Sequence, residues 1–99
     1  MNHTVNLAIQ MLPLRLSKEE TYRIVDVAIA AIDKSGLTYV VCPFETVVEG
    51  PYKEVMQLLE NIQTACTKAG ADEFIINMKL HRAAAEDMKI DDKIGKYKE

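Results

Sequence analysis

In 99 residues the chain has no tryptophan, two cysteines, two histidines and three prolines. Each scarcity closes off a class of protein. Cys42 and Cys66 stand in no CxxC pair and in no metal-ligand spacing, so a disulfide scaffold, a zinc ribbon and a thioredoxin-type motif are all excluded. Both thiols are expected in or at the edge of the core, where cysteine acts as a small hydrophobe. His3 and His81 lie near opposite ends of the sequence. A nucleophilic pair of His81 with Cys42, or a metal held by His81, Cys42 and a carboxylate, has no motif behind it, so no metal site is expected. Walker loops, GxGxxG, HExxH and GxSxG are all missing, which leaves no recognisable catalytic machinery and no implied cofactor.

Long apolar runs are also lacking. None approaches the ~20 residues needed to span a bilayer, and Met1-Asn2-His3-Thr4 shows no basic stretch leading into an apolar one. A cytoplasmic domain without a membrane partner is the expectation. An excess of basic charge is lacking too. The net charge is −3, with twelve Lys and Arg against fifteen Asp and Glu, and the cations are dispersed or, in the tail, balanced by acids. That argues against nucleic acid, which demands a basic stripe, and leaves room for a cationic ligand. With 48% hydrophobic and 27% charged residues, what remains is an ordinary globular domain spanning residues 1–99, long enough to bury a core without staples.

Hydrophobic periodicity supplies the elements. Val5, Leu7, Ile9 and Met11 alternate with Asn6, Ala8 and Gln10 up to Leu12, the mark of a half-buried strand, and Pro13 ends it. Ser17-Lys18-Glu19-Glu20 is a capping box that opens a helix over 18–34 with Tyr22, Val25, Ile29 and Ile32 on its apolar side. Gly36 suits the left-handed position after it. Leu37–Val41 and Thr46–Glu49 read as a hairpin turning at Cys42-Pro43-Phe44-Glu45. Gly50-Pro51 opens a second helix with Pro51 as its first residue and Val55, Leu58, Leu59, Ile62 and Cys66 as its stripe. Phe74–His81 is the last strand, and a short helix follows Asp91.

The order β-α-β-β-α-β predicts an α+β, ferredoxin-like domain: an antiparallel four-stranded sheet with two helices on one face and a short C-terminal helix. The expected core is Leu7, Ile9, Val25, Ile29, Ile32, Val55, Leu59, Ile62, Ile76 and Met78. The second sheet face would carry Asn6, Ala8, Gln10 and Leu12 beside Ile75, Asn77, Lys79 and His81. Such a mixture of apolar and polar groups suits an interface or the floor of a ligand site more than a bare solvent surface. Several polar residues there have two readings. Glu49 and Glu45 are either solvated or acceptors for an amine or cation. Lys79 is either an exposed edge residue or an ion-pair partner, and Gln10 and Asn77 are either exposed or hold a ligand's polar edge. Tyr22 and Tyr39 read as core or rim aromatics.

Two segments carry a family resemblance. The opening strand Asn6-Leu7-Ala8-Ile9-Gln10-Met11-Leu12-Pro13 is one. The other is Gly36 to Gly50, which fits the pattern G-x-x-Y-x-V-x-P-x-x-T-x-x-E-G through Gly36, Tyr39, Val41, Pro43, Thr46, Glu49 and Gly50. Together they resemble the thiamine-binding, MTH1187/YkoF-like family, over nearly the whole chain. The resemblance implies a ferredoxin-like protomer that forms homodimers or homotetramers and binds thiamine or its hydroxymethylpyrimidine moiety without catalysis, as a carrier, buffer or sensor. Carried over by position, it implies Gln10, Thr46 and Glu49 as ligand contacts, then Asn77 and Lys79, with Leu12, Val40, Phe44, Val48 and Met78 as ring contacts. An assembly module without a small ligand is the alternative, and a small enzyme using Lys79, His81 or Glu49 for acid–base work stands behind it.

Overall fold

The computed structural model describes residues 2–97; Lys98 and Glu99 of the charged tail lie outside them. The elements are β1 (Thr4–Pro13), α1 (Lys18–Lys34), β2 (Thr38–Val41), β3 (Thr46–Pro51), α2 (Tyr52–Lys68), β4 (Phe74–His81), α3 (Ile90–Ile94) and a 3-10 turn at Gly95–Tyr97. The sheet order is β2-β3-β1-β4, antiparallel at every pairing. Each helix therefore joins two parallel strands with a third strand between them, the double split βαβ of a ferredoxin-like fold.

Local chemistry sets the helix ends. The Ser17 hydroxyl oxygen accepts the Glu20 N–H at 3.1 Å and donates to the Glu20 carboxylate at 3.2 Å, a variant of the capping box. Helix α2 closes in a Schellman motif: the Ala71 N–H donates to the Cys66 carbonyl, and the Gly70 N–H to that of Thr67. Gly70 has φ +114°, which a side chain at that position would resist. Arg23 of α1 donates to the Ala69 carbonyl at 2.9 Å, so one helix caps the other with a cation at its negative end.

The core lies between the helices and the inner sheet face. Val5, Leu7, Ile9 and Met11 of β1 and Val48 of β3 meet Ile24, Ala28 and Ile32 of α1 and Val55, Leu58, Ile62 and Cys66 of α2. Burying each larger side chain contributes ~1.5–3 kcal/mol.

Several expectations need correction. The buried stripe of α1 is Ile24, Ala28 and Ile32, one residue ahead of Val25 and Ile29, which are half-buried. On the Leu59 and Ile76 side the core is likewise only half closed, and Met78 is 48% exposed because the helices do not reach the β4 edge. Pro51 ends β3 rather than beginning α2, since its extended backbone (ψ 141°) still pairs with Thr4. Cys66 is buried as expected, which raises its thiol pKa, but Cys42 is exposed in the hairpin turn. That turn is closed by the Cys42 N–H donating to the Glu45 carbonyl at 2.9 Å.

The outer sheet face is partly covered by the chain's own C-terminal segment. The Met88 N–H donates to the Thr4 carbonyl, and Asp87 accepts the Thr4 N–H, each at 2.8 Å. Asn6, 4% exposed, donates to the Met88 carbonyl at 2.9 Å and accepts from the Lys93 ammonium at 2.7 Å. The Glu49 carboxylate accepts the Ile90 N–H at 2.6 Å. Asn6 and Glu49 are cross-strand neighbours, so one polar row of the sheet clamps the whole segment, and Ile90 is buried beneath it.

Candidate functional site

Strand β1 outruns its partner. It pairs with β3 from Thr4 to Ile9 but with β4 as far as Pro13. Beyond Ile9 it has a neighbouring strand on one side only, because the hairpin has already turned at Cys42–Glu45. The result is a notch of about 350 Å³ between β1, the hairpin turn and the first turns of α1. Ile9 to Leu12 of β1 form one wall, with Ile9 and Met11 on the face toward α1 and Gln10 and Leu12 reaching it at the strand's free edge; Thr21, Tyr22, Val25 and Ile29 form another, and Phe44, Glu45 and Thr46 the third.

The chemistry of the notch is specific. Glu45 is the one charged residue among those lining it, and its carboxylate has no hydrogen-bond or ion-pair partner among the described residues. Thr46 is 7% exposed on the inner sheet face, opposite Ile9, and its hydroxyl likewise has no partner among the described residues. Because no buried side-chain oxygen is left unsatisfied there, that hydroxyl opens onto the notch. Gln10 is oriented by Asn77, whose amide donates to its carbonyl oxygen at 3.2 Å, leaving the Gln10 amide group as a donor. Tyr22 (60% exposed) and Phe44 (81%) stand at the rim. The notch thus offers an anion and a hydroxyl against aliphatic walls, with two aromatic rings at the mouth and Gln10 at the free edge of the strand.

Of the seven residues expected at a site, Gln10, Leu12, Phe44 and Thr46 come together here, with Asn77 behind Gln10. Glu49 does not: its carboxylate caps α3. Lys79 does not either; it faces a separate cavity on the outer face, beside Ala8, beneath the C-terminal segment. Of the supposed ring contacts, Val48 is fully buried in the core and Val40 lines the outer cavity. The sequence reading missed Tyr22, Val25, Ile29 and Glu45 as parts of one surface. The signal was there: α1 carries two adjacent apolar stripes where the sheet needs only one.

The sequence matches the thiamine-binding protein family over residues 7–98. The chain belongs to that family. It is 30% identical to the UPF0045 protein CPE1503 of Clostridium perfringens, over 96% of this chain and 98% of that one. Two solved structures superpose on this member of the family closely. A Bacillus cereus domain of unknown function, DUF77, has a TM-score of 0.90 at 31% identity and covers 100% of this chain and 94% of its own. A Thermotoga maritima protein provisionally described as one of thiamine biosynthesis or salvage has a TM-score of 0.88 at 25% identity, with coverage of 96% and 99%. Among the described residues of this family member, no helix is long and apolar enough to cross a membrane, and no group of three His, Cys, Asp or Glu converges as metal ligands would.

Proposed function

We propose that this chain is a non-enzymatic cytoplasmic binding protein for thiamine or its hydroxymethylpyrimidine moiety, and that the notch beside β1 holds the ligand. The observation that carries the reading is the notch's charge: an unpartnered carboxylate, Glu45, is the one charge lining an otherwise apolar and hydrogen-bonding cavity. A thiazolium is a flat cation, suited to a carboxylate and to the faces of Tyr22 and Phe44. An aminopyrimidine presents donors and acceptors, which the Gln10 amide, the Thr46 hydroxyl and the unpaired edge of β1 complement. Leu12, Val25 and Ile29 give the rings apolar contact. The family's description and the Thermotoga relative point the same way.

Calorimetric titration with thiamine tests this. Saturable binding is expected, and Glu45→Gln weakens it about tenfold, the scale of one charge-assisted contact at a half-exposed site. Lys79→Gln, on the other side of the sheet, leaves it unchanged. No heat and no thermal shift at millimolar thiamine would overturn the ligand, and binding indifferent to Glu45→Gln would overturn the site.

A second reading, assembly into a homodimer or homotetramer, is favoured by the apolar side chains left open along β4: Met78 (48% exposed) and Leu80 (45%) on its inner face and Ile75 (51%) on its outer face. An eight-residue edge strand without proline is an invitation to pair. Sedimentation distinguishes the two readings. An oligomer that ignores thiamine makes the chain an assembly module, and a monomer that binds thiamine removes assembly from the function.

A further inference from the structure

The cavity on the outer sheet face has the opposite character to the notch. It measures about 380 Å³, its floor is Ala8 and Val47 of the sheet, and its roof is Ile90 and Ile94 of α3. The charged or titratable residues that line it, apart from the Cys42 thiol at its margin, are Lys79, His81 and Lys93, with no carboxylate among them. This is unexpected in a chain of net charge −3. Lys93 is not a loose surface lysine: its ammonium is fixed 2.7 Å from the buried Asn6 side chain, which is itself anchored to the Met88 carbonyl. The side chains of Lys79 and His81 have no hydrogen-bond or ion-pair partner among the described residues. The nearest acid in the sheet, Glu49, is committed to the Ile90 N–H.

We propose that this cavity is a second binding site, independent of the notch, for a small organic anion with an apolar body: an aryl or alkyl carboxylate or phosphate monoester. Lys79 and Lys93 are both solvent-exposed at the margin of the cavity, so they bring positive charge to an apolar wall that no carboxylate neutralises. A ligand that brings the anion and an apolar group together satisfies both surfaces. The head would lie between Lys79 and Lys93 and the body between Ala8 and Ile94. Ligand pockets of this size, mostly apolar with a few convergent polar groups, are the common form for such molecules.

The probes are phenyl phosphate and benzoate, with inorganic phosphate and benzylamine as controls, followed by amide and methyl shifts in NMR titration of the full chain. Phenyl phosphate or benzoate is expected to shift Ala8, Val47 and Ile94 saturably, and which of the two binds tighter identifies the head group. Inorganic phosphate binds more weakly, and benzylamine does not bind there. Lys79→Gln, an exposed position whose loss leaves the fold intact, weakens the anion about tenfold. Ala8→Leu, which fills the floor without changing charge, abolishes binding. Equal shifts from benzylamine, no saturable shift by either aryl anion, or binding indifferent to both variants would overturn the proposal. Thiamine affinity is read in parallel on the same variants and stays unchanged, so failure here and failure of the notch reading are separable.

Discussion

The two cavities are made by one strand and differ in almost everything else. Asn6 and Ala8 of β1 serve the outer cavity, where the C-terminal segment crosses the sheet and brings Lys93. Gln10 and Leu12 serve the notch, where the hairpin stops short and leaves Glu45 at the rim. The first is lined by cations, the second by a single carboxylate. The difference teaches that charge in a small sheet domain is placed by whichever segment reaches the strand, since β1 itself has no ionisable side chain.

The largest effect that would break this comparison concerns the packing behind the notch. Ile24 is fully buried against the sheet while Ile29 is a notch wall. Ile24→Ala is expected to cost about 2–5 kcal/mol in urea unfolding. Ile29→Ala should cost clearly less and instead change thiamine affinity; equal stability losses would mean that the notch is core. Next comes the clamp on the other side. Asn6→Ala leaves the Met88 carbonyl and the Lys93 ammonium without their partner, a loss of about 1–3 kcal/mol. Hydrogen exchange should speed at Met88 and Ile90 while α1 and α2 stay protected, and uniform acceleration would contradict a locally held segment.

A smaller effect is chemical. Cys42 lies at the margin of both cavities and is exposed, whereas Cys66 is buried with its thiol pKa raised by desolvation. Alkylation of the native protein is expected at Cys42 alone, with Cys66 reacting only after denaturation. Ligand at either site should slow Cys42, and two equally fast thiols would refute the packing of α2 on α1. The smallest effect is in acid. The Thr4 N–H, then nearby His3, holds Asp87 below the ordinary 3.8. A carboxyl lowered on folding stabilises the tether above its unfolded pKa and releases it as pH falls through the folded value. The Thr4 amide shift should therefore titrate with a midpoint below 3.8, and Asp87→Asn should flatten that titration.

Most of the fold was legible because it depends on local chemistry. The Ser17 cap, the Gly36 and Gly70 stops, the alternation in β1 and β4 and the Pro43 turn lie within a few residues of what they control. The site was only half legible. Gln10, Leu12, Asn77, Lys79 and Glu49 share the outer face as the alternation expects, but Gln10 and Leu12 lie beyond the end of β3 at the notch, whereas Lys79 lines the outer cavity and Glu49 holds the C-terminal segment. Alternation assigns a residue to a face of its own strand. It does not say that Glu49 will be spent on a helix more than forty positions later in the chain, as the Ile90 bond shows.

By itself, then, the sequence determined the element order, the ends of α1, the sheet's apolar face and the family, since period, caps and motif are written in neighbouring residues. Only the tertiary structure decided which residues of α1 are fully buried, where β1 outruns β3, and that the C-terminal segment folds back over Asn6. Those depend on strand register and on contacts between distant residues, where a shift of one position moves a side chain from the core into a site.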